Sequence, residues 1–170
     1  MNSVSTVHES AGAYAMALQG CWELVLREDR TESGELTVDP GLGAEPVGLL
    51  VYDASGRFSA QFMKRDRADE NAPGPDAARS GVNNTRAVGG YDAYFGRYTV
   101  DEETHTVTQT LDGALAPDNV GLVVTRRMEV TGDLLALRLP TTAADGTPIM
   151  RTLQWRRCRP AGRDAATGAP

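Results

Sequence analysis

The sequence predicts an all-β fold, an antiparallel up-and-down β-barrel of about eight strands, with a short N-terminal helix and a lid loop over one mouth. Three observations predict it. From Gly20 onward the chain breaks into short runs rich in Val, Leu, Thr, Tyr and Phe, residues that suit a pleated, half-buried surface. Gly, Asp, Ser or Pro bounds each run, and most gaps are short enough for hairpins. With 170 residues the chain has the length of one domain that encloses a core or a lined cavity. A closed barrel removes exposed strand edges, and a two-sheet sandwich is the alternative architecture.

The elements follow in order. Thr6 and Glu9 stand at capping-box spacing, and Ala11 to Leu18 is rich in helix formers up to a stop at Gly20, so residues 1–19 read as a helical segment. The barrel occupies residues 20–158. Its strands are Cys21 to Arg30, Val47 to Tyr52, Arg57 to Met63, Arg97 to Asp101, Thr104 to Ala114, Leu122 to Val130, Leu134 to Leu139 and Ile149 to Arg157. Asp53-Ala54-Ser55-Gly56, Asp101-Glu102-Glu103 and Thr131-Gly132-Asp133 supply residues that tolerate left-handed backbone or bond to their own turn, which makes each a hairpin connection. Residues 159–170, rich in Ala, Gly and Pro, read as a disordered tail.

Two connections are longer than hairpins need. Glu32 to Glu45 contains Pro40, Gly41 and Gly43, with room for an extra strand around Leu36 to Val38. Lys64 to Gly96 starts polar and punctuated by Pro and Gly, then turns aromatic. Tyr91, Tyr94 and Phe95 stand three and four apart, so a helical turn would gather them on one face as a lid over the barrel mouth.

A net charge of −6 and a pI near 4.9 argue against nucleic acid or anionic membrane as partner. No stretch approaches the roughly 20 apolar residues that span a bilayer. The opening residues lack a basic start and a continuous apolar core, from which a cytoplasmic location is expected. Cys21 and Cys158 are then two free thiols by default. They lie near the two ends of the barrel sequence, where first and last strands meet, so a bridge stays geometrically open. A homodimer also stays open.

Gly20-Cys21-Trp22 resembles the Gly-x-Trp signature of lipocalins, and Trp155-Arg156-Arg157 supplies the arginine that packs over the tryptophan in that fold, with Arg156 expected in the role. A Trp there fills the barrel bottom, and a guanidinium stacks on its face while bonding nearby carbonyls. A closer likeness is to the bacterial and fungal lipocalin-like domain family. It is carried by Pro46 to Tyr52, Asp53 to Met63, Ala93 to Asp101, Thr106-Val107-Thr108 and Arg126 to Val130, and it spans roughly Gly20 to Arg157 in unbroken order. The resemblance implies small-molecule binding and, for some barrels of this general kind, cyclase activity in natural-product pathways. This chain departs from the likeness in its longer polar lid loop and in Gln109, where His is expected.

Other chemistry finds little support. His8 and His105 lie in different elements with no Asp, Glu or Cys at ligand spacing, so neither a metal nor another cofactor is expected. Gly41-Leu42-Gly43-Ala44-Glu45-Pro46 lacks the lysine and helix of a phosphate loop and reads as a turn. Neither histidine sits in a triad pattern, and Asn83-Asn84-Thr85 is a glycosylation sequon without meaning in an unexported chain.

What remains is the barrel interior, where side chains alternate inward and outward. Val124, Arg126, Met128 and Val130 share one face, which turns Arg126 inward, toward a structural carboxylate or Trp22, or toward a ligand oxygen whose developing charge it would stabilise. Gln61 and Gln109 are polar residues inside strands, although both faces of Arg57 to Met63 contain apolar groups and its parity is open. Tyr52, Tyr91, Tyr94 and Phe95 are expected near the mouth, and Met63 and Met128 along an adaptable lining. The expected function is a mostly apolar pocket for an apolar metabolite. In a cofactor-free cyclase or isomerase Arg126, Gln109 and Tyr94 are catalytic; in a carrier or sensor the same residues supply affinity alone.

Overall fold

A computed structural model describes residues 12–67 and 83–159. Its elements are helix α1 (Ala13–Leu18), β1 (Gly20–Thr31), β2 (Leu36–Thr37), β3 (Val47–Tyr52), β4 (Arg57–Met63), β5 (Tyr91–Asp101), β6 (Thr106–Ala114), β7 (Val123–Thr131), β8 (Leu134–Thr142) and β9 (Pro148–Arg157). Neighbouring strands pair antiparallel from β3 through β9, β1 pairs with β3 on one side and β9 on the other, and the sheet closes into an eight-strand barrel. The two-residue β2 adds to the far end of β1 through Asp29↔Thr37 and Arg30↔Leu36. The capping-box pair Thr6 and Glu9, residues 68–82 of the lid loop and the tail beyond Arg159 lie outside the described residues.

Alternation sorts the interior. Phe58, Ala60 and Phe62 point inward, which settles the parity of β4 and turns Gln61 and Met63 to the outer face. Val124, Arg126 and Met128 point inward as the period of β7 requires. The β5 strand begins at Tyr91, not Arg97, because its first half pairs residue for residue with β4 from Met63↔Tyr91 to Arg57↔Arg97. In a strand, residues three and four apart do not share a face as they do on a helix. Tyr94 is therefore buried, Phe95 is 56% exposed, and the predicted aromatic lid does not form. Phe95 lies instead over Gly113 on the outer wall, where a Cβ would stand 2.5 Å from its ring. Beside it the register shifts between Phe95 and Gly96, and a Cβ on Gly96 would meet the Thr110 carbonyl oxygen at 1.9 Å, so only glycine lets β6 pass that close.

One end of the barrel is plugged. Trp22 is fully buried, and its Nε1 donates to the Leu18 carbonyl at the end of α1. Arg157, not Arg156, stacks on the indole, its guanidinium carbon 4.1 Å from the ring centroid. Arg157 also donates to the Gln19 and Ala17 carbonyls at 2.7 and 2.8 Å, which satisfies groups that a helix end leaves unpaired. Arg156 alternates outward into solvent because Trp155 takes the inward position of β9. At its other end α1 lacks a cap of its own, and the Glu102 carboxylate in the β5–β6 turn accepts the Tyr14 and Ala15 N–H groups, each at 2.9 Å.

Candidate functional site

The other end of the barrel is charged. In β1 strict alternation from Trp22 and Leu24 would bring Leu26 inward next, but the register shifts between Leu24 and Leu26. The extra residue reverses the parity of everything after it, so Arg27 and Asp29 face the interior. Arg151 on β9 grips Asp29 with two parallel bonds, Nε to Oδ1 at 2.7 Å and Nη2 to Oδ2 at 2.8 Å. Arg27 reaches Asp39 in the β2–β3 connection at 2.6 Å. Burial alone would raise the Asp39 carboxyl, but the Arg27 and Arg151 guanidiniums overcome it and hold the group below its ordinary value. Asp39 in turn accepts the Gly41 and Leu42 N–H groups, so this ionic cluster ties a loop across the barrel mouth.

Under that loop lies a small chamber of about 20 Å³, room for one water molecule. Phe62, Leu139 and Leu153 form its apolar wall, and Arg27, Asp92, Tyr94, Arg126 and Arg151 reach it with polar groups. Two of these are buried charged groups with no ion-pair partner among the described residues. Arg126 is 3% exposed and donates to the Asn83 carbonyl at 2.9 Å and the Thr125 carbonyl at 3.3 Å. Among the described residues it meets no carboxylate within ion-pair distance, and burial lowers its pKa against the opposing pull of Tyr94 and Tyr52. Asp92 is 2% exposed; its Oδ2 accepts from Thr85 at 2.5 Å, while Oδ1 has no hydrogen-bond partner among the described residues. Burial, opposed by the Thr85 bond and the charge of Arg27, raises its pKa from 3.8 to about 6. Below that value Asp92 is neutral, and among the described residues three guanidiniums then face the Asp29 and Asp39 carboxylates.

Deeper in the barrel Gln109 Nε2 donates to the Tyr52 hydroxyl at 2.6 Å, and Tyr52 packs edge-on against Tyr98 at 4.8 Å. Burial raises the pKa of both Tyr52 and Tyr94, so at neutral pH each is a neutral phenol. Met128 lies buried in the core around Trp22. The structure thus brings Arg126 and Tyr94 to one chamber, with the hydrogen-bonded pair Tyr52 and Gln109 below them.

Gln61, whose strand parity the sequence leaves open, Met63, expected along the lining, and Tyr91, expected at the mouth, all belong elsewhere. They line an open cleft of about 430 Å³ on the outer wall with Glu23, Leu24 and Leu49. There the Tyr91 hydroxyl donates to Gln61 Oε1 at 2.5 Å, and Arg67 lies over the Tyr91 ring at 5.1 Å.

Sequence reasoning missed Asp92, Arg27, Asp29 and Arg151. Arg151 was legible in the alternation Ile149, Arg151, Leu153, Trp155, and Asp92 in Asp92, Tyr94, Tyr98 once the strand is started early enough. Arg27 and Asp29 had one signal, the three consecutive apolar residues Leu24, Val25 and Leu26, which break alternation as a bulge does. The expectation of a mostly apolar pocket, polar only near Arg126, is corrected accordingly.

A family whose description is a lipocalin-like domain matches residues 19–158, and no curated protein matches the chain. A barrel of that description points to a small hydrophobic ligand. Among the described residues no helix is long and apolar enough to cross a membrane.

Proposed function

Since the chain belongs to the lipocalin-like domain family, we propose that its barrel takes an apolar small molecule with one oxygen-bearing end in the charged chamber and rearranges it as a cofactor-independent isomerase or cyclase of a natural-product pathway. The observation that supports this reading is the pair of buried groups facing one chamber, Arg126, which among the described residues meets no carboxylate, and Asp92, whose Oδ1 has no hydrogen-bond partner among them and whose pKa is about 6. A carboxylic acid tuned near neutrality suits proton transfer in both directions. Asp92 gives its proton to the substrate, a second carbon of the substrate returns one to Asp92, and the product is an isomer of unchanged mass. Arg126 and the Tyr94 phenol offer donors to the oxygen on which negative charge builds, in surroundings where charge is poorly screened. The Tyr52 and Gln109 pair sets the polar floor of the path.

A chamber of about 20 Å³ admits no metabolite as it stands. Entry requires the loop held by Asp39 and the Asn83 to Val88 segment to move aside together, and their contacts to Arg27 and Arg126 are the ones a ligand would replace. The same tight cover favours a second reading, a carrier that shields its ligand from water without changing it. Mass spectrometry of the purified chain, native and then denatured, identifies a co-purified compound. Fresh compound is then incubated with the chain and recovered. An isomer formed by the wild type and not by Asp92→Asn bears out the enzyme; unchanged ligand in both leaves the carrier; and a compound that binds Arg126→Met as well as wild type refutes the chamber as the site.

A further inference from the structure

The two cysteines meet at the barrel seam. Cys21 is the second residue of β1 and Cys158 directly follows β9, and the Cys158 N–H donates to the Cys21 carbonyl at 2.8 Å, which continues the pairing of first and last strands by one more rung. Their sulfurs stand 3.0 Å apart as free thiols, about 1 Å beyond a covalent S–S bond. Both are partly exposed, so a small oxidant reaches them. Each also adjoins the plug: Trp22 follows Cys21, and Arg157, which stacks on Trp22 and holds the α1 carbonyls, precedes Cys158.

We propose that Cys21 and Cys158 are a modification site, a dithiol that a low-molecular-weight disulfide converts into an intrachain bond locking the plugged end of the barrel. One cysteine, as its thiolate, attacks a sulfur of the small disulfide and releases one small thiol. The second cysteine loses its proton and attacks the mixed disulfide, an S–S bond forms between Cys21 and Cys158, and a second small thiol leaves. Two cysteine thiols are oxidised and one small disulfide is reduced to two thiols. Partial burial and the hydrogen bond to Cys21 raise the Cys158 pKa to about 11.

The bond spans 137 positions of chain, and closing so long a loop restricts the unfolded state strongly while the folded strands already hold the ends together. Oxidation is expected to raise the thermal midpoint by roughly 10 °C. The full chain, fully reduced, is exposed to excess glutathione disulfide, quenched with acid and measured by intact mass and thiol count. The expected result is a monomer that has lost two hydrogens and both reactive thiols, and that melts higher than the reduced chain. Cys21→Ser and Cys158→Ser each take up one glutathione and melt like the reduced protein. Two persistent thiols, glutathione on both cysteines of the wild type, bridges between chains, or equal midpoints for the oxidised and reduced wild type would overturn the proposal. The wild-type comparison stands even where a variant fails to fold.

Discussion

Replacing Asp92 by Asn removes a carboxyl that burial holds at a pKa of about 6, against 3.8 in its ordinary state. The sign follows from where the protons sit. Between pH 3.8 and about 6 the folded chain keeps a proton on Asp92 that the unfolded chain has released, so this group's contribution to stability falls as pH rises through that window and is lowest above it. The full difference corresponds to about 3 kcal/mol, of which about 2 to 3 kcal/mol develops between pH 4 and pH 7. Asn cannot ionise, keeps an oxygen for Thr85, and places an amide where Oδ1 has no partner among the described residues, at a pH-independent cost of about 1–3 kcal/mol. The expected signature is a double difference. Asp92→Asn is less stable than the wild type near pH 4 and gains about 2 to 3 kcal/mol on it by pH 7. Urea unfolding of both proteins at intervals from pH 4 to pH 8 measures this directly, since titrating groups not coupled to Asp92 cancel. A gap between the two proteins that changes by less than about 1 kcal/mol over that range would show that Asp92 ionises as an ordinary carboxyl, and proton transfer by Asp92 would fall with it.

Other substitutions separate the two ends of the barrel. Arg126→Met removes a buried guanidinium that meets no carboxylate among the described residues, so stability is expected to hold within about 1 kcal/mol while affinity for an oxygen-bearing ligand falls roughly 10- to 100-fold, read by calorimetry. Arg151→Met leaves Asp29 buried beside Arg27 alone and is expected to cost about 3–5 kcal/mol in chemical denaturation. Arg157→Met loses two carbonyl bonds and the stack on Trp22, for about 2–4 kcal/mol, whereas Arg156→Met stays within about 0.5 kcal/mol; equal effects would contradict the assignment of the stacking arginine.

Much of the barrel is legible in the amino-acid sequence. Two predicted strands, Val47 to Tyr52 and Arg57 to Met63, match the observed β3 and β4 residue for residue, and the others differ mainly at their ends. The inward face of β7, Arg126 included, follows from alternation alone, because a barrel wall has one dry face and side chains repeat every two residues. The thiol pair at the seam is also foreseeable, since closure must set the first strand beside the last.

Tertiary structure decided the rest wherever period or context breaks. Tyr91, Tyr94 and Phe95 fit a helical turn by spacing, and only pairing with β4 made them a strand and sent Tyr94 inward and Phe95 outward. Trp155-Arg156-Arg157 offered two arginines for one stack, and alternation from the buried Trp155 gave the place to Arg157. The charged chamber exists because one irregular step in β1 reverses parity, which brings Arg27 and Asp29 to face Arg151 from β9 across the closing seam. Local sequence determined this protein's strands and most of their faces, because those depend on neighbours along the chain. The chemistry of its interior depends on which side chains from distant strands arrive at one depth, and barrel closure sets that through register.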